Sequence, residues 1–232
     1  IGSIYKDSLP TEINIANTAI DWNGKRYSMV MLPLPKDQTA SNNLVIHELF
    51  HRLQPSIGFG NLQEMDNGHL DAFEGRVLLK LELQALEKAI ETDDTLRLNH
   101  IQNALTFRNK RYKTADIKKA ENSLELNEGL AEYTAIMLSG RNMDEMKSHL
   151  SKSKNEFYEN PTFVRSFAYQ TIPNYGYLLS SIKPNWQKEI KSDTNLTDYF
   201  STAFQVSIDN NQSIEKIAEK FNYNLQEIQK EE

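Results

Sequence analysis

The chain has 232 residues, a length that fits one domain, or one domain with a large insertion, and that suffices to bury a core. Charged residues at 25% and a hydrophobic set at 39% exclude a disordered chain and a membrane-embedded one, and no apolar run is long enough to span a bilayer. With 26 Lys+Arg against 32 Asp+Glu the net charge is -6 and the basic residues form no dominant stripe, so nucleic acid is not an expected partner. There is no Cys, hence no disulfide framework and no thiolate, and any metal must be held by imidazoles and carboxylates.

The first element is a predicted β-hairpin. Residues Glu12 to Trp22 are rich in β-branched side chains, Asn23-Gly24 supplies the turn, and Arg26 to Leu34 returns until Pro33 and Pro35 end it. Thr39 or Ser41 is the expected cap of a first helix, whose apolar positions Leu44, Val45, Leu49, Phe50 and Leu53 recur at helical spacing up to Pro55 and Gly58. Helical periodicity returns from His69 to about Thr92, with Asp93 and Asp94 as a turn and cap, then from Thr95 to Tyr112 and from Ala115 to Leu138, where Gly140 breaks it. Pro161, Pro173 and Pro184 are expected to divide the remainder into short helices over 143–159, 162–170, 175–183, 185–191 and 196–204, followed by a polar helical tail. The fold class is therefore mainly α (α+β): one domain with an N-terminal β segment (1–40), a first helix (41–60), a helical pair (64–113) that reads as an insertion, a further helix (114–140) and a C-terminal helical part (141–232).

The pentad His47-Glu48-Leu49-Phe50-His51 carries the chemistry. On a helix, imidazoles at i and i+4 lie one turn apart on one face and can share a Zn²⁺ ion, while Glu48 beside them can take a proton from the attacking water. A catalytic zinc takes three protein ligands, and His69, Asp71, Glu74, Glu128 and Glu132 are candidates for the third. Glu128 and Glu132 form an i, i+4 acidic pair whose repulsion a nearby cation would relieve. In that arrangement Glu132 would accept from a ligand imidazole and fix its tautomer. The segment Phe167 to Leu179 offers Tyr169, Tyr175 and Tyr177 as hydroxyl donors to an oxyanion. His100 and His149 stand alone on polar helix faces and are expected at the surface.

The pentad followed by Leu126-Asn127-Glu128-Gly129-Leu130-Ala131-Glu132-Tyr133 resembles the gluzincin metallopeptidases, the clan of thermolysin and aminopeptidase N, in which an Asn-Glu-Gly motif on a second helix brings the third zinc ligand. The likeness covers less than half of the chain. It implies Glu128 as that ligand, with Glu74 as a rival, and Tyr169 as the oxyanion donor; Tyr169 holds the matching place although Ile172 stands where the aminopeptidase branch has Gly, so Tyr175, followed by Gly176, is the alternative. Two further departures stand out. Residues 52–127 separate the motifs, far more than in that branch, and the segment Met29 to Leu34 lacks its amino-terminus recognition element, so exopeptidase specificity is not expected. The expected function is a zinc-dependent metallohydrolase, a peptidase acting on a peptide or protein substrate, with Glu48 as general base. The alternative is a zinc-holding but catalytically idle domain that binds a partner or an envelope polymer. The opening Ile1-Gly2-Ser3 in place of Met is what a trimmed leader would leave, which makes a secreted or cell-envelope location an expectation.

Overall fold

The structure, a computed structural model, describes residues 6–92 and 94–232, and the side chains of residues 94 and 95 are left aside. It is mainly helical with a two-stranded antiparallel sheet near its start, β1 (Thr18–Trp22) and β2 (Lys25–Met29), paired from Thr18↔Met29 to Trp22↔Lys25. The strands are shorter than their β-branched content suggests. The turn falls at Asn23-Gly24 as expected, both residues adopting positive φ. The helices are α1 (Gln38–Leu53), α2 (Phe73–Glu91), α3 (Asp94–Arg111), α4 (Ala115–Leu124), α5 (Leu130–Leu138), α6 (Met143–Tyr158), α7 (Ala168–Ile182), α8 (Leu196–Phe204), α9 (Ile214–Phe221) and α10 (Leu225–Glu231). Among the described residues no helix is long and apolar enough to cross a membrane.

Several sequence expectations need correction: residues 162–167, expected to open a helix, form an irregular stretch and turn before α7, and His149, expected at the surface, is half-buried. The cap of α1 is Asp37, whose carboxylate accepts from the Ala40 amide at 2.8 Å, while the Thr39 hydroxyl donates to the same oxygen at 2.6 Å. An ionised side chain at the helix N-terminus outcompetes a hydroxyl for the unsatisfied amides. Pro173 does not divide two helices but lies inside α7. Residues 170–176, 178 and 179 are all buried there, and that burial outweighs the one backbone hydrogen bond the ring removes. Finally, His100 is 4% exposed, its Nδ1 lying 2.6 Å from the Tyr223 hydroxyl, so it belongs to the core rather than to the surface. The expected turn and cap at Asp93 and Asp94 lie outside the residues and side chains described.

The core centres on α2, whose residues 77–83, 85, 86, 89 and 90 are buried, packed along α3 and against α7. The helical pair expected as an insertion thus forms the middle of the molecule. In front of it α1 packs on α5, the hairpin rests on α1, and α7 packs on α5 and on residues 125–129. These last residues are a π-helical turn, Glu125–Gly129, joining α4 to α5 without a break, with the Leu130 amide donating to the Glu125 carbonyl.

That turn solves a facing problem. In an uninterrupted α-helix the acids Glu121, Glu125, Glu128 and Glu132 would fall on one stripe, at i, i+4, i+7 and i+11. One extra residue in a turn swings everything after it by about 100°. Glu121 and Glu125 therefore point into the core, and Glu128 and Glu132 point at α1. In the core, the fully buried Arg108 donates to Glu125 (2.7 Å), Glu82 (3.2 Å) and the Thr197 hydroxyl (2.8 Å). Arg111 donates twice to Glu121 at 2.7 Å and pairs with Glu82 at 2.8 Å; Thr171 of α7 donates to Glu125 at 2.6 Å. On the opposite side Gly129 lets α7 approach, since a Cβ there would stand 2.4 Å from Ile172 Cγ1.

Arg108→Met would leave Glu82 and Glu125 buried without their shared cation, and a loss of about 3–5 kcal/mol is expected in urea unfolding followed by circular dichroism. A loss below about 1 kcal/mol would contradict the anchoring role of this network.

Candidate metal centre

The pentad sits on α1 where it faces the π-turn and α7. His47 and Glu48 are buried and His51 half-buried. His47 Nε2 and His51 Nε2 are 3.0 Å apart, and Glu128 Oε2 lies 3.3 Å from the first and 3.2 Å from the second. Each imidazole is held from behind. His47 Nδ1 is 2.9 Å from Glu132 Oε2, and His51 Nδ1 is 2.8 Å from Gln54 Oε1.

These outer contacts fix the tautomers. A carboxylate can only accept, so Nδ1 of His47 carries a proton. Gln54 Nε2 donates to the Asn127 backbone carbonyl at 2.9 Å, which forces Gln54 Oε1 to be the atom facing His51, and Nδ1 of His51 carries a proton too. In their neutral forms both rings then aim an Nε2 lone pair at the same point as the carboxylate oxygen of Glu128. The three converging atoms include no donor, and the one donor that reaches them, the Tyr169 hydroxyl, bonds Glu128 Oε2 alone, so a cation between them would relieve their repulsion. The triangle also has the right size: ligand atoms about 2.0–2.1 Å from a tetrahedral ion stand about 3.3 Å from one another. His47, His51 and Glu128 form a buried group that could hold a metal ion.

In the absence of a metal a proton fills the role. Burial pushes His47 down, but the carboxylates of Glu128 and Glu132 bonded to it prevail and raise it to about 9. His51 is also raised: burial works against the charged ring, and Glu128 outweighs it. Glu128 is resisted by burial yet held far below the usual carboxylate range by the two imidazoles and by the Tyr169 hydroxyl. Glu48 stands apart from these pairings. Burial raises it despite the two His, one carboxylate oxygen has no hydrogen-bond partner, and its backbone carbonyl accepts from Ser28 of β2 at 2.9 Å.

Tyr169 of α7 stacks on His47 at 5.4 Å between centroids and donates to Glu128 Oε2 at 2.6 Å; burial, and then Glu128, keeps its hydroxyl protonated. The group opens on a polar cleft of about 310 Å³ lined in part by Thr18 and Ala19 of β1, Asn127 and Arg165. Arg165 pairs with Glu64 and reaches to 3.9 Å from Glu128 Oε1.

Of the residues singled out in the sequence, His47, Glu48, His51, Glu128, Glu132 and Tyr169 come together here. Tyr175 does not: it is fully buried, stacked on Phe200 at 4.5 Å, with its hydroxyl on Glu82 at 3.0 Å. Glu74 is exposed at the start of α2, paired with Lys113, and belongs neither to the convergent group nor to its cleft. His69 is taken up by the buried network through Glu121 at 2.7 Å, and Asp71 accepts from Thr162 and from the Phe163 amide. Tyr177 belongs to the packing around the core and not to the cleft.

No family model, curated protein or solved structure matches this chain. The site must therefore be read from its own atoms.

Two residues at the site escaped sequence reasoning, although the helix carries a signal for each. Gln54 lies three residues after His51, and Asn43 lies four before His47, both within reach on the same face; Asn43 donates to Glu132 Oε1 at 3.0 Å.

Because a metal must displace the proton on His47, apparent zinc affinity should rise steeply from pH 6 to about 9 and level off above it, as followed by competition with a chelating dye. The stability of the metal-free chain should move oppositely. A pKa raised in the folded state stabilises fully below the ordinary value of 6.5, and that contribution fades as pH climbs through about 9. A zinc affinity independent of pH would contradict the assignment. Gln54→Ala, which removes the acceptor behind His51, should weaken zinc binding about 10–100-fold in the same assay; unchanged affinity would show that Gln54 does not orient the ring.

Proposed function

We propose that the chain is a zinc-dependent hydrolase that cleaves peptide bonds, with His47, His51 and Glu128 as metal ligands and Glu48 as general base. The observation that carries this reading is the convergence of two imidazole lone pairs and one carboxylate oxygen, each ring oriented from behind, next to a buried carboxylate left out of all pairing. Two nitrogens and one oxygen at this spacing suit zinc, with only three protein ligands so that a reacting group has room. When bound, the ion would supply Lewis acidity to a carbonyl and make water acidic at neutral pH.

The protein side of the chemistry follows from the surroundings. Glu48, raised by burial and free of hydrogen-bond partners at one oxygen, is a base of enhanced strength that can take a proton from water and return it to the leaving amine. Tyr169 is neutral and already a donor at the edge of the site. Its O–H, now donated to Glu128 Oε2, can turn to a developing oxyanion. Glu132 and Gln54 keep both Nε2 atoms aimed at the ion through catalysis, and the Arg108 network holds the turn that presents Glu128.

Elemental analysis of the purified protein after zinc loading, then cleavage of a broad peptide library with and without chelator, tests the reading. One zinc per chain and chelator-sensitive cleavage are expected. Glu48→Gln should keep zinc and lose at least about 10³-fold in turnover, whereas His47→Ala should lose the metal. Full activity in the first variant refutes the base, and full zinc occupancy in the second refutes the ligand. Zinc with no cleavage of any peptide would favour a metal-holding binding domain instead.

A further inference from the structure

A second cleft opens on the other side of His47, Glu48 and Tyr169, and its walls include Asn43, Glu132, Arg141 and His149. Arg141 lies just after Gly140, whose positive φ turns the chain out of α5 before Asn142 caps α6. Its Nη1 is fully used, donating to the Ser139 hydroxyl at 2.7 Å and to Asn43 Oδ1 at 3.1 Å. Both partners are neutral. Asn43 in turn donates to Glu132, which holds His47, so the guanidinium is tied by two hydrogen bonds into the scaffold of the metal centre.

The other edge of the guanidinium, Nε and Nη2, has no partner among the described residues, and no carboxylate there stands within ion-pairing distance of Arg141. Of the acids nearby, Glu48 is unpaired, while Glu132 and Asp37 are committed elsewhere. Glu132 accepts from His47 and Asn43, and Asp37 accepts from Thr39 and the Ala40 amide. Burial, and then the Arg141 charge, holds His149 below the ordinary imidazole range, so of these two neighbours it is Arg141 that carries positive charge. A fixed fork of parallel N–H donors on a half-buried guanidinium matches one ligand chemistry best, a carboxylate bound through two oxygens.

We propose that Arg141 is a specificity-determining residue that binds a carboxylate of the substrate, an acidic side chain or a free C-terminus, in the cleft beside the metal centre. This rests on the peptidase reading for the substrate class, though not for the binding itself. Occupation would orient the substrate across His47 and Tyr169 and would disfavour amidated or neutral peptides.

The test uses the zinc-loaded full chain with matched peptide libraries: free acid against C-terminal amide, and Asp/Glu against Asn/Gln. At least one acid-to-neutral ratio of kcat/KM should exceed about tenfold. That ratio should fall towards one in Arg141→Gln and be partly retained in Arg141→Lys, whatever the absolute rates. The arm that responds identifies the source of the carboxylate. Ratios near one in the native chain, or a preference that survives Arg141→Gln, overturn the proposal. If no library is cleaved, the peptidase reading fails and the subsite is judged by binding. Titration with N-acetylglutamate and with N-acetyl-dialanine should then shift the Arg141 Nε–H resonance saturably with at least one of them, and no shift with either overturns it.

Discussion

Three lone pairs aimed at one point hold the account together. Acceptors that face one another without a donor are repulsive, and a fold places them so only where something positive separates them. Here the arrangement is not a crowding accident, because each contributor is oriented by a group that could not act otherwise. Glu132 can only accept, and so can the Asn127 carbonyl that sets the amide of Gln54. The same geometry explains the metal-free state, in which a second proton on His47, at Nε2, faces Glu128 while Nδ1–H stays on Glu132. A proton fills this niche, and a metal ion could take its place.

The niche exists because of a one-residue irregularity between α4 and α5. Glu121 and Glu125 complete an ion network among α2, α3 and the helix that carries them, while Glu128 and Glu132, a few residues on, face α1. The π-turn separates these two duties, and the buried arginines on one side with Gly129 against Ile172 on the other hold it in register. Stability of the core and the aim of Glu128 are thus coupled through residues 125–129. A buried network of this kind contributes little net stability over an apolar replacement, but it fixes where each carboxylate points.

Much of this was legible in the sequence, and the illegible parts have physical causes. The i, i+4 spacing of His47 and His51 is a local property of a helix, as is the packing of Glu128 and Glu132 on a single face, so both could be read without coordinates. The hairpin turn at Asn23-Gly24 and the helix over 196–204 were likewise set by local chemistry. Pro173 misled because the penalty of a proline inside a helix is local, whereas the burial that outweighs it along α7 is tertiary. Tyr175 and Tyr169 were indistinguishable by residue type; only the packing of Tyr175 on Phe200 and Glu82 separates a core hydroxyl from one at the cleft. His100 misled for the same reason, its partner Tyr223 being far away in sequence. The π-turn was not legible because the shift of about 100° that it introduces is followed only by the short helix α5, which is too brief and too apolar to establish a new periodic phase.

The chain therefore combines a local motif, visible to inspection, with a distant carboxylate whose direction depends on buried charges. The most direct measurement is anomalous diffraction at the zinc absorption edge from crystals of the zinc-loaded protein. One peak is predicted, about 2.0–2.1 Å from His47 Nε2, His51 Nε2 and Glu128 Oε2 together. A peak elsewhere, or an ion held by the two imidazoles with Glu128 turned away to Tyr169 or Arg165, would contradict the account.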